Sequence, residues 1–148
     1  MGGSGSSSGK GGSSYRVPSK ETAFEPGTDP EFRYHSTSFA AAKRIQEEGI
    51  KPSTRGAEGP GVYFGTSIEN TMGWTSESKE AVQMRVKRET LRKKYTYTDL
   101  DQYQGTAERT VSPKYVEIRT SFGDWVPIKD AIIRRKGKSG WLIDSKYF

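Results

Sequence analysis

The chain has no cysteine and one histidine, His35, among its 148 residues. Without thiols it can build neither a disulfide framework nor a thiolate metal site. A lone imidazole without an HExxH pattern argues against zinc, so no metal is expected. No apolar run approaches the roughly 18 residues of a membrane span, and the N-terminus lacks the apolar core of a secretory signal. Apolar residues are scarce, at 31%. The shortage is local, because residues 1–30 are mostly Gly, Ser, Pro and charge and cannot bury enough surface to order themselves. They are expected to form a flexible leader, with one globular domain over 31–148.

What is abundant is positive charge. Lys and Arg number 24 against 18 Asp and Glu, a net +6. The leader holds Lys10, Arg16 and Lys20 against Glu21, Glu25 and Asp29, so the excess belongs to the domain. It gathers in "RVKRETLRKK" (85–94) and "RRKGK" (134–138), a field that favours anionic partners or is simply a solvated face.

Periodicity and turn chemistry predict a short strand over 32–36 and a helix over 38–49. Ser38 or Thr37 would cap the helix and Gly49 would stop it. A Gly/Pro loop over 50–61 leads to a strand over 62–67 and a short helix over 68–74. Residues 81–89 alternate as a half-exposed strand, 94–100 are β-like and 101–107 read as loop. Strands are expected within 108–120, 125–135 and 140–148. One main helix near the N-terminus followed by many strands implies an α+β domain with antiparallel pairing.

Neither a GxxxxGK[ST] phosphate loop nor a GxGxxG fingerprint is present. "YHSTSFAAAKRIQEEGIKPS" followed by "GPGVYFGTSIENTMGW" instead resembles the ADP-ribosyltransferase family. The likeness is to the His-Tyr-Glu branch of poly(ADP-ribose) polymerases, diphtheria-type toxins and small HYD1-type toxin domains. It covers residues 33–74 well and 103–120 weakly.

The resemblance implies split antiparallel sheets and NAD as co-substrate. His35 would hold the adenosine-side ribose, and Tyr63 would stack on nicotinamide. Trp74, eleven positions after Tyr63, would cover the other face. Ser36, Thr37, Gly61 and Thr71 would complete the NAD-binding set. A neutral imidazole can donate and accept toward a ribose diol, and aromatic faces hold the nicotinamide cation. The resemblance also requires a Glu at the start of a late strand, just after an acceptor-facing loop. Glu108 is the first choice, on the expectation that it opens a strand; Glu117 is the alternative, and Asp99 or Asp101 comes third. Tyr103 and Gln104 would lie in the acceptor loop.

The expected activity is mono-ADP-ribosyl transfer to a protein or nucleic acid, with a mild preference for an anionic target. The resemblance points to a monomeric toxin or effector domain, either cytoplasmic or delivered into a target cell, with an immunity protein as a possible partner. Two rival readings stand beside it. One is an NAD-dependent RNA 2′-phosphotransferase, whose catalytic set needs additional Arg and His residues, against which the single histidine of this chain counts. The other is a non-enzymatic RNA-binding module using Tyr95, Tyr97, Tyr103 and Tyr115 among the basic residues.

Overall fold

A computed structural model describes residues 29–53, 59–71, 81–137 and 140–147. The expected leader up to residue 28, the middle of the Gly/Pro loop and residues 72–80, Trp74 among them, lie outside the described residues.

The chain enters through strand β1 (Phe32–Thr37), whose register with its neighbours organises the domain. Helix α1 (Phe39–Glu48) follows, and the Ser38 hydroxyl accepts from the Ala41 amide at 3.2 Å as its cap. Gly49 ends it at φ 86°, and its amide donates to the Ile45 carbonyl. A side chain there would face both the left-handed backbone and the carbonyl of Val111, so glycine is doubly required. Strand β2 (Val62–Gly65) leads to a 3-10 turn at Glu69–Thr71.

Strand β3 (Val82–Lys87) buries Val82, Met84 and Val86 and leaves Gln83 and Arg85 half-buried, the alternation read from the sequence. It runs directly into a second helix, α2 (Arg88–Tyr95). The sequence predicts one main helix, and this second one departs from that expectation. "RETLRKKY" has only Leu91 and Tyr95 for a buried stripe, four residues apart. Its basic last turn suits the negative end of the helix dipole, and Arg109 donates to the Lys94 carbonyl there.

Strands β4 (Thr98–Asp99) and β5 (Gln104–Ala107) form the next hairpin. The expectation of loop over 101–107 is therefore corrected. Gly105 hides the strand from a propensity reading, and a Cβ at that position would run into the Tyr97 ring. Strands β6 (Glu117–Arg119), β7 (Trp125–Pro127), β8 (Ala131–Arg135) and β9 (Trp141–Ser145) complete the chain, with 3-10 turns at Pro113–Tyr115 and Ile128–Asp130.

Among the described residues the protein is a mixed α/β fold with two helices and antiparallel pairing throughout. Seven strands form one sheet in the order β4-β5-β2-β1-β3-β6-β7, and β8 and β9 form a separate pair. One face of the large sheet builds the core from Phe64, Met84, Val86 and Ile118, with Leu91 of α2 and Ala42 and Ile45 of α1. Helix α1 reaches the smaller sheet through Phe39, stacked on Trp141 at 4.3 Å, and Gln46, whose amide donates to the carbonyls of Ile128 and Ala131.

The main buried polar device ties β4 to β1. Arg33, 1% exposed, donates to Tyr97 and Asp99, both at 3.1 Å, and Arg88 donates to the same carboxylate at 2.8 Å. Burial alone would raise the Asp99 pKa, but hydrogen bonds from Arg33 and Tyr97 and the two guanidinium groups hold it below the usual 3.8. These contacts make Asp99 part of the fold's frame. Asp101 is similarly committed, accepting from the amides of Tyr103 and Gln104 to close the β4–β5 turn.

Candidate functional site

Strand β1 pairs with β3 through six registered residues, Phe32 to Thr37, but with β2 through one, Tyr34 opposite Gly65. Beyond that pair a side chain takes over from the backbone: His35 Nδ1 lies 3.0 Å from the Tyr63 carbonyl. A carbonyl can only accept, so Nδ1 carries the proton and Nε2 is the accepting nitrogen of the neutral ring. Burial lowers the His35 pKa below 6.5, with the bond to Tyr63 pushing weakly the other way, so the ring is neutral at pH 7. Its edge meets Phe64 at 6.0 Å.

Ser36 and Tyr63 belong to the opposite face. The Ser36 and Thr71 hydroxyls are 2.6 Å apart, and Thr71 Oγ1 donates to the Ile68 carbonyl at 2.8 Å. Thr71 has one proton, so Ser36 is the donor to it, and the chain of hydroxyls points from β1 into the turn after β2. The Tyr63 hydroxyl donates to the Gly59 carbonyl, which leaves the half-buried ring as that residue's contribution to a ligand. Thr106 on β5 stands opposite Tyr63. Gly61 makes room for it, because a Cβ there would strike the Thr106 hydroxyl. Thr37 closes β1 opposite Val82.

The acceptor-loop residues sit beside this cluster in an ordered turn. Thr66 donates from its amide to the Tyr103 carbonyl at 3.0 Å and from its hydroxyl to the Gln102 carbonyl at 2.7 Å. Asn70 donates to Thr66 Oγ1 at 2.8 Å, joining the turn after β2 to the turn before β5. Tyr103 is 49% exposed at the tip.

Two carboxylates remain from the sequence reading. Glu108 does not begin a strand; it follows the end of β5, and the residue that opens this strand is Gln104, opposite Gly65. The difference has the same cause as the correction at β5, since Gly105 gives the strand the local signal of a loop. Glu108 is exposed, and its carboxylate has no ion pair or hydrogen bond among the described residues. Glu117 accepts from Arg85 across β3 and β6 at 2.6 Å, and that guanidinium lies between the rings of Phe32 and Trp125. No sequence spacing announces this pair, because it forms only when the strands come together.

Among the described residues there is no group of three or more potential metal ligands and no helix long and apolar enough to cross a membrane. A cavity of about 310 Å³ lies elsewhere, lined by Thr120, Phe122, Asp124 and Asp144. No protein-family model, curated protein or solved structure matches the chain.

Proposed function

We propose that this domain is a mono-ADP-ribosyltransferase that moves ADP-ribose from NAD to a macromolecular acceptor and releases nicotinamide. The observation that carries this reading is the interrupted β1–β2 edge. There His35 holds the Tyr63 carbonyl from the core face, while Ser36, bonded to Thr71, lies with Tyr63 on the other face.

The chemistry asks for residues that hold a cationic ring, orient a ribose and stabilise positive charge as the glycosidic bond breaks. Tyr63 supplies a ring face. Neutral His35, with Nδ1 donating to Tyr63 and Nε2 as its accepting nitrogen, is assigned the ribose-orienting role that the resemblance implies. Ser36 and Thr71 offer lone pairs to a carboxamide N–H while their own protons are engaged. When the C1′–N bond breaks, its electron pair leaves with nicotinamide and the ribosyl carbon becomes oxocarbenium-like. A negative charge lowers the energy of that state, and Glu108 is the uncommitted carboxylate of the candidate set. It can also take the proton released when an acceptor nucleophile bonds to C1′. Glu117 is already neutralised by Arg85, which favours Glu108 on charge. Position at the head of β5 favours Gln104, whose amide can hold ribose hydroxyls without bearing charge. The toxin or effector setting and a neutralising partner belong to the same proposal.

Incubation with NAD labelled in the adenylate moiety tests it. Nicotinamide should be released and label should appear in a protein, RNA or DNA fraction of a cell lysate. A folded domain that releases no nicotinamide and labels nothing would falsify the reading. NAD consumption that requires 2′-phosphorylated RNA would replace it with the phosphotransferase.

A further inference from the structure

We propose that the last turn of α2 and the 109–115 segment form a docking surface for the phosphate backbone of a nucleic acid. The fold gathers three cations from separate segments around one aromatic pair. Tyr95 and Tyr115 meet edge to face at 6.1 Å. The Arg109 guanidinium lies 4.6 Å from the Tyr95 ring, and the ammonium groups of Lys94 and Lys114 lie 5.8 and 5.3 Å from the Tyr115 ring. Arg92 extends the charge along the helix.

Arg33, Lys51, Arg85, Arg88 and Lys93 each meet a carboxylate. Arg92, Lys94, Arg109 and Lys114 meet none among the described residues. Like charges held together without counter-ions repel one another, and an external polyanion removes that cost.

The surroundings decide which polyanion. Among the described residues the exposed large apolar side chains are Leu100, Tyr103, Phe122, Ile132 and Tyr147, none of which belongs to this cluster. A protein partner needs an apolar centre to pack against, and an interfacial membrane site needs an apolar wedge. A phosphate backbone needs only spaced cations. Tyr95 is 4% exposed, and the half-buried Tyr115 ring is covered by the Lys94 and Lys114 ammonium groups, so neither offers an open face for stacking bases. Contact is therefore with phosphates and independent of sequence. This inference does not rest on the NAD reading.

Fluorescence anisotropy of labelled single-stranded RNA and duplex DNA, each of mixed sequence, across a salt series tests it. The variant is Arg92→Gln/Lys94→Gln/Lys114→Gln, all exposed side chains; Arg109 is retained because it caps α2. Affinity at low salt should fall at least about ten-fold, and the salt slope should shrink by about two to three. The control Lys129→Gln/Arg134→Gln/Lys136→Gln removes the same charge elsewhere and should change affinity less than about two-fold, as expected for cations that touch no phosphate. Absence of binding by the unaltered protein at low salt overturns the proposal. So does equal weakening by both variants, or competition by an acidic peptide or phosphatidylserine vesicles that matches RNA at equal charge.

Discussion

The two edges of β1 are built in opposite ways. Toward β3 the backbone ladder is continuous over six residues, backed by buried Val82, Met84 and Val86. Toward β2 the ladder is one pair, and an imidazole spans the gap that amides would otherwise close. A closed edge leaves its backbone groups with nothing to offer a ligand. An open edge supplies side chains whose hydrogen bonds can be exchanged. One six-residue strand can therefore anchor the core along one side and present chemistry along the other.

Breaking the frame should have the largest effect. Asp99→Ala leaves Arg33 charged and buried without its carboxylate, and removing one partner of such a pair costs about 3–5 kcal/mol. Urea unfolding should register this directly. The unaltered protein should show the same linkage in acid. The folded Asp99 pKa is depressed, so its contribution is present above 3.8 and is lost as pH falls below that value through the folded pKa. A melting temperature unchanged by Asp99→Ala would show that the Arg33 network is not what secures β4.

Beyond the end of β5, Glu108→Ala should lower nicotinamide release by about 10²–10³-fold, the scale of a lost electrostatic contact to a developing charge. Stability should hardly change, because the carboxylate is exposed and makes no described contact. Gln104→Glu sharpens the assignment. If position on β5 outweighs charge, this variant should raise turnover and make Glu108 dispensable. If Glu117→Ala abolishes release and Glu108→Ala does not, the third-motif assignment moves to β6.

The contrast between the edges was only partly readable in the residues. Strands β1, β2 and β3 and the capped helix α1 follow from local signals: alternation, a Ser cap and a Gly stop. The juxtaposition of His35 with the Tyr63 strand came from motif order. Helix α2 and strand β5 escaped because tertiary packing decides them, Leu91 and Tyr95 in one case and the Tyr97 ring against Gly105 in the other. Glu108 was consequently placed at the wrong end of its strand. Of the four tyrosines in the RNA-binding reading, Tyr95 and Tyr97 are buried, Tyr103 is exposed and Tyr115 half-buried, a distinction that burial reveals and composition does not.

His35 carries the next effect in size. His35→Ala leaves the Tyr63 carbonyl without its donor, a loss of about 1–3 kcal/mol, and should raise the KM for NAD. The folded pKa of His35 lies below 6.5, so folding favours the neutral ring. Its contribution to stability is complete above pH 6.5 and declines as pH falls toward the folded value, where the unfolded chain binds the proton first. NAD affinity should be flat between pH 7 and pH 8 by the same reasoning. An NMR titration of the single imidazole reads this without ambiguity, and a midpoint above 6.5 would contradict the burial argument.

The smallest effect tests the direction of the Ser36–Thr71 chain. Ser36→Ala removes a donor but leaves Thr71 bonded to Ile68, so the loss should be about 0.5–1.5 kcal/mol, that of one net hydrogen bond. Thr71→Val removes the middle of the chain and strands both the Ser36 hydroxyl and the Ile68 carbonyl. Its cost should reach about 1–3 kcal/mol, the desolvation penalty of unsatisfied buried groups. Equal costs would mean that Thr71 donates to Ser36 instead. In that case the Ser36 proton would be available to a ligand carbonyl, and Ser36→Ala should weaken NAD binding more than Thr71→Val does.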